Sequence, residues 1–200
     1  PPRPKSSAAS DVYKRQNKAI ALIELASPKE KDFILTLKSR YNGDVNSSRV
    51  PLDIAYAKAM AELSSKYPDD ADAASLYAEA LMNTMPWNYW AEDGNPKPDT
   101  IKVINTIESV LDKDPNHPLA IHLYIHAVEA SSDPGRAEEA ADRLADLVPG
   151  AGHLVHMPSH IYWRVGRYED ASLANIAAAK VDEEYICLLY TSPSPRDGRE

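Results

Sequence analysis

Of 200 residues, only one is cysteine, seven are glycine and one is phenylalanine. The single cysteine, Cys187, lies in a C-terminal segment unlike the rest, so it carries no information about redox compartment. The body of the chain has none, which disfavours structural zinc of the finger type. Long apolar runs are missing as well: none approaches the roughly 18 residues of a membrane-spanning helix, and no membrane span is expected. Positive charge is in deficit, with 22 Lys and Arg against 30 Asp and Glu and a net charge of -8. The basic residues are scattered, which argues against a nucleic-acid partner, because phosphate neutralisation needs them clustered.

Several chemical signatures are absent too. No Ser or Cys sits in a strand-turn-helix elbow, which argues against a nucleophilic triad. Neither a phosphate-binding Gly-rich loop nor a dinucleotide fingerprint is present, which argues against ATP-dependent and dehydrogenase activities. No His-Glu-x-x-His occurs, since Leu123, Ala127 and Met157 follow the relevant histidines.

What is present is 44% apolar content, enough for one domain with a real core or a short array of repeats. Alanine recurs every few positions and eleven tyrosines supply most of the aromatic mass, a balance that favours helices packed through small residues. The two ends differ. "PPRPKSSAASDVYKRQ" and "CLLYTSPSPRDGRE" lack sustained periodicity, and "DVYKRQ" and "LLYTSPSPRD" resemble adapter read-through at the ends of environmental assemblies. We expect residues 1–16 and 187–200 to be artefactual, or else disordered tails, and residues 17–186 to be a helical-repeat domain, a fragment of a longer protein. The compartment stays open.

Between the ends, apolar residues fall at helical spacing and Pro, Asp and Gly interrupt them every 12 to 18 residues or so. Residues 18–25 form a short first segment. "SPKEKDFILTLKSRY" starts at Ser27 with Pro28 in its first turn, and "NGDVNSS" is a loop. Pro51 opens a helix with a stripe of Leu52, Ala55, Tyr56, Ala59, Met60 and Leu63, which Pro68 ends. "DDADAASLYAEALMNT" is its antiparallel partner. A proline-rich loop, "MPWNYWAEDGNPKP", carries Trp87, Tyr89 and Trp90, and further helices follow, the first with Ile101, Ile104, Ile107, Val110 and Leu111 on one stripe.

The later helices repeat. "GRAEEA" returns as "GRYEDA" 31 residues on, and His122 and His153 share that offset. A helix pair recurring at a period in the thirties marks an α-solenoid. "YWRVGRYEDASLANIAAAK" resembles a tetratricopeptide repeat, with Gly166, Tyr168 and Ala171 at the turn into the second helix. "YAEALMNTMPWNYW", "HLYIHAVEAS" and "GAGHLVHMPSHIYWRVGRY" are similar to long bacterial tetratricopeptide-repeat proteins of no established activity. The resemblance implies an all-α fold of antiparallel helix pairs in a right-handed tetratricopeptide-like α-solenoid, whose first helices line a concave groove. Pro158 inside a first helix and the tryptophan loop depart from the general repeat.

All six histidines lie between His117 and His160. His122, His126 and Glu129 occupy i, i+4 and i+7, within about 60° on a helix. His153, His156, His160 and Trp163 occupy i, i+3, i+7 and i+10, one stripe of the next first helix. The adjacent stripe of each helix is expected to be buried: Ile121, Tyr124, Ile125 and Val128 on one, Leu154, Ile161, Tyr162 and Val165 on the other. Adjacent first helices sit about 8 to 10 Å apart, so the two histidine stripes face a shared space. Asp72, Ser75, Glu79 and Asn83 form a polar stripe upstream, with Glu79 a further ligand or general base and the tryptophans a wall or a hydrophobic cap.

Three readings follow. In the first, Asp72, Glu79, Asn83, Trp87, Trp90, His122, His126, Glu129, His153, His156, His160 and Trp163 line a polar groove for a partner protein, peptide or small ligand. In the second, His122, His126, Glu129, His153, His156 and His160 bind a transition metal such as zinc, as a metal-binding protein or metal-dependent enzyme. In the third, the histidines serve packing alone. Pro158 removes one helical hydrogen bond and either kinks its helix or resets its start.

Overall fold

A computed structural model describes the backbone of residues 6–44 and 47–191, and side chains over 12–44 and 47–186. Among these residues the regular structure is helical, apart from one isolated antiparallel bridge between Trp90 and Pro96. The helices are α1 (Ser6–Ala21), α2 (Pro28–Leu37), α3 (Arg49–Lys66), α4 (Ala71–Thr84), α5 (Pro98–Lys113), α6 (Pro118–Val128), α7 (Glu138–Leu147), α8 (Gly152–His156), α9 (Pro158–Val165) and α10 (Tyr168–Thr191). Short 3-10 turns occupy Ile23–Leu25 and Pro134–Ala137. The all-α, tetratricopeptide-like pattern of helix pairs is the one expected. No helix of the described residues is long and apolar enough to cross a membrane.

The sequence reading of the ends meets the structure only in part. Residues 1–5 and 192–200 lie outside the described residues. The first helix, expected at residues 18–25, starts at Ser6 and gives way to the 3-10 turn before Leu25. Its buried Gln16 donates from Nε2 to the Leu37 carbonyl at 3.2 Å, a polar tether that apolar periodicity does not register.

Contacts divide the chain into two compact units, Pro1–Tyr89 and Trp90–Glu200. In the first, Ser27 and Glu30 form a reciprocal capping box at the start of α2, with Pro28 in its first turn. Asp70 caps α4 by accepting from the Ala73 amide at 2.8 Å. Helices α3 and α4 pack through Tyr56, Met60 and Leu63 against Ala78, Leu81 and Met82. The expected stripe of α3 holds at its centre, but Ala55 faces outward and Ala57 is buried instead.

In the second unit α5 packs on α6, α6 on α7 and α9, and α8 and α9 on α10. Ile104, Ile107 and Val110 of α5 meet a face of α6 on which Ile121, Tyr124, Ile125 and Val128 are all buried, as its spacing predicts. Ile101 at the start of α5 is outside the core, 48% exposed, while Thr100 and Val103 are inside.

The arginines of the repeated "GR" turns take equivalent parts. Arg136 donates from Nε to the Tyr124 hydroxyl at 3.0 Å and pairs with Glu108. Arg167 binds Glu138 at 2.8 Å, Asp142 at 2.9 Å and Asp170 at 2.7 Å, and lies over the Tyr162 ring. Each arginine thus reaches back to an acid of an earlier helix. Gly166, at φ 87°, closes α9 in the left-handed conformation that turns the chain into α10.

Candidate functional site

Two short helices and α6 build the site. His117 ends the loop before α6, its Nδ1 accepting from the Ala120 amide at 3.2 Å, and Pro118 takes the first helical position. That start fixes the phase of α6. Ile121, Tyr124, Ile125 and Val128 turn into the core, which leaves His122 and His126 beside the buried stripe with Glu129 at the helix's C-terminal end. The orphan Ala127 carbonyl in that last turn accepts from the Trp90 indole N–H at 2.8 Å, so the tryptophan loop caps α6 through Trp90.

Pro158 resets the helix rather than bending it: α8 ends at His156 and α9 begins at Pro158. The break alters the buried side. Val155, Met157, Pro158 and Ile161 are buried, whereas Leu154, Tyr162 and Val165, expected there, are only half-buried. His156 and His160 nevertheless remain neighbours across the break, their Nε2 atoms 2.9 Å apart.

The five histidines of α6, α8 and α9 close into a ring of imidazoles. Successive ring centroids are 4.9 Å apart for His122 and His126, 5.4 Å for His126 and His160, and 4.8 Å for His160 and His156. The circuit closes with 6.2 Å from His156 to His153 and 5.1 Å from His153 to His122. Two triads within it, His122, His126 and His153, and His126, Glu129 and His160, each bring ligand atoms within 4.8 Å of one another. Either could hold a metal ion.

Glu129 organises the ring from one side. Its Oε1 lies 2.9 Å from His126 Nδ1 and its Oε2 2.6 Å from His160 Nδ1. A carboxylate only accepts, so both histidines carry their proton on Nδ1 and present Nε2 inward. Burial alone would raise the Glu129 pKa, but these two hydrogen bonds outweigh it and bring the carboxyl down to about 2. Burial drives His122 in the opposite sense for its charge, to a pKa of about 4, helped by the neighbouring imidazoles. The same causes lower His153, less buried, against a small opposing pull from Asp182.

Asn175 of α10 orients the fifth ring. Its Nδ2 donates to the Ala171 carbonyl at 2.7 Å, which leaves Oδ1 to accept from His156 Nδ1 at 2.6 Å. The Ser159 hydroxyl also approaches that nitrogen, at 3.3 Å. Beside these groups lies a cleft of about 270 Å³ lined by Glu129, His156, Ser159, His160, Trp163 and Arg164, together with Ala171 and Asn175. Trp163 is 65% exposed and makes an edge-to-face contact with Tyr168.

The upstream candidates are placed separately. Asp72, Glu79, Asn83 and Trp87 belong to the first compact unit, and the six residues of the histidine site to the second. The Glu79 carboxylate receives both Arg40 guanidinium nitrogens at 3.0 Å and Asn83 Nδ2 at 2.8 Å. Ser75 is fully buried, Asp72 is exposed in the first turn of α4, and Trp87 is 74% exposed with φ 59°. Sequence reasoning did not pick out Asn175. The spacing marks only a face, with Ala171 and Ala178, both buried in α10, at i and i+7 and Asn175 between them at i+4, and not the role of Asn175 on it.

No family model matches the chain, and no curated protein matches it. Among solved structures it is similar to MamA RS-1 ArsTM double mutant, at 14% identity over 90% of this chain and 97% of that one, with a TM-score of 0.53. MamA AMB-1 matches at 16% identity over 89% and 99%, TM-score 0.49. MamA MSR-1 matches at 18% identity over 87% and 97%, TM-score 0.47. At such identities the likeness to the first concerns the fold alone.

Proposed function

We propose that this chain is a tetratricopeptide-like scaffold whose histidine-rich polar surface is a ligand site, and that its ligand is a transition-metal ion held by His122, His126 and His153. The observation that carries the reading is the convergence of these three rings, with ligand atoms within 4.8 Å of one another. Three nitrogens around one tetrahedral zinc at about 2.1 Å are about 3.4 Å from each other. His122 Nε2 and His153 Nε2, at 3.2 Å, already stand near that spacing.

The surroundings favour the same chemistry. A metal takes the neutral imidazole, and the lowered pKa values of His122 and His153 keep both rings neutral at pH 7. Glu129 on His126 Nδ1 is the carboxylate–histidine arrangement that orients a metal ligand and raises its basicity. Three protein ligands leave the fourth position open to water or to a small ligand. The reading is tested on untagged protein by elemental analysis and by Co(II) titration. A tetrahedral Co(II) spectrum, absent when both His126 and His153 are changed to alanine, is expected. If no stoichiometric ion is retained and added Zn(II) leaves the melting temperature unchanged, the metal reading is wrong.

Recognition of a partner protein, peptide or small ligand in the same groove is the second reading. The cleft favours it, since the exposed Trp163 and Arg164 line it together with His156 and His160. Such repeats offer extended concave surfaces, and MamA, similar in fold, is a comparison at the level of architecture only. Trp163 fluorescence distinguishes the two readings: a ligand seated in the cleft of metal-free protein perturbs it, whereas an ion at the His122 triad alone does not.

A further inference from the structure

The pair formed by His156 and His160 is left over from the triad of His122, His126 and His153, and its hydrogen bonds do not balance without an additional cation. Each outer nitrogen is committed as a donor: His156 Nδ1 to Asn175 Oδ1, whose role as acceptor is fixed by the bond from Asn175 Nδ2 to the Ala171 carbonyl, and His160 Nδ1 to the Glu129 carboxylate. A neutral imidazole holds one N–H and one lone pair. The two Nε2 atoms therefore direct lone pairs at each other across 2.9 Å. Two lone pairs at that distance repel unless a cation joins them: a proton bridges the pair as it stands, and a metal ion does so once the nitrogens open to about 3.4 Å.

We propose that the imidazole ring is a two-ion centre, with a second transition-metal ion bound between His156 Nε2 and His160 Nε2 beside the ion of His122, His126 and His153. The inference rests on the metal reading of that triad. Each ion then has a ligand oriented by the same carboxylate, since Glu129 holds His126 through Oε1 and His160 through Oε2. Asn175 does for His156 what Glu129 does for the other two. Both ligands of the second ion are thus held by outer-sphere partners, as is His126 of the first.

The ion's chemical class follows from the donors. Imidazole nitrogens without thiolates suit zinc and copper, not calcium or magnesium, which take oxygen. Two Nε2 atoms on one ion at about 2.1 Å stand between about 3.4 Å and 4.2 Å apart, so the pair opens from 2.9 Å on loading. Binding replaces whatever proton the pair shares and releases it to solvent. Only two protein ligands serve this ion, so water from the adjoining cleft completes its shell. The second ion consequently binds more weakly than the first, and occupancy proceeds in two steps.

Equilibrium dialysis of the untagged 200-residue chain against Zn(II), followed by elemental analysis, separates the possibilities. Two zinc ions per chain are expected, falling to one in His156→Ala. The conservative His160→Gln, which keeps a polar side chain beside Glu129, is expected to give one as well, and circular dichroism melts of the metal-free variants check that both are folded. One ion in the wild type overturns the second site and leaves the triad standing. No ion overturns both. Two ions in the wild type and still two in both variants overturn the assignment to this pair.

Discussion

At the scale of single residues, two titrating groups set the charge of the site at neutral pH, where Glu129 is ionised and His122 is neutral. Glu129, with a pKa near 2 in the fold against an ordinary 4.5, stabilises the fold fully above 4.5 and loses that contribution as pH falls toward 2. His122, near 4 in the fold against an ordinary 6.5, is neutral while the unfolded chain becomes protonated. Its contribution is complete above 6.5 and is lost as pH falls from 6.5 to 4. Discounted for partial exposure, the loss from His122 is about 2 kcal/mol. Urea unfolding of metal-free protein across that range should show it, and His122→Asn should flatten the slope there while leaving the fall between pH 4.5 and about 2 that Glu129 contributes. An equal slope in the variant would assign the effect elsewhere.

The same carboxylate carries a second expectation. Glu129→Gln keeps size and can still accept one hydrogen bond, but it cannot serve both His126 and His160 as an ionised acceptor. Metal affinity is then expected to fall by about 10- to 100-fold, the usual effect of removing an outer-sphere partner. Competition with a chromophoric chelator measures it. Unchanged affinity would mean that His126 is oriented by packing alone.

At the scale of helices, how much could be read from the chain depended on what breaks periodicity. The 31-residue offset made His122 and His153 equivalents, and their Nε2 atoms lie 3.2 Å apart, because adjacent first helices keep a constant phase from one repeat to the next. Pro158 upset the neighbouring inference. By restarting the helix it moved Val155 and Met157 into the core and left Leu154 half out, a change of phase that stripe counting across the proline cannot register. Asn175 escaped for another reason: an isolated polar residue beside an alanine face shows its role only once its partner ring is in place. Trp87 and Trp90, close in sequence, part company in structure, the first 74% exposed and the second bonded to α6. Trp90→Phe keeps the ring and deletes the N–H that caps the Ala127 carbonyl. A loss of about 1 kcal/mol is expected, read as a lowered melting temperature, and metal uptake weakens with it because Ala127 sits between His126 and Glu129 on the same turn. A variant as stable as the wild type would show that water replaces the indole there.

At the scale of the whole chain, every residue of the histidine ring and of both triads lies in the unit Trp90–Glu200, and among the described residues none of Pro1–Tyr89 joins them. An ion that binds the folded site and not the unfolded chain adds stability to the elements that hold it, about 2.7 kcal/mol when its free concentration is a hundred times the dissociation constant. That energy belongs to α6, α8, α9 and α10, because their mutual packing sets the ring, whereas α3 and α4 form a separate core around Tyr56, Met60 and Leu81. Zn(II) should therefore slow amide exchange up to about 100-fold in the best protected turns of α6 and α9. In α3 and α4 the exchange rates should stay as they were. Equal slowing in both units would show that they open as one, and slowing confined to α3 and α4 would move the ion away from the histidines altogether.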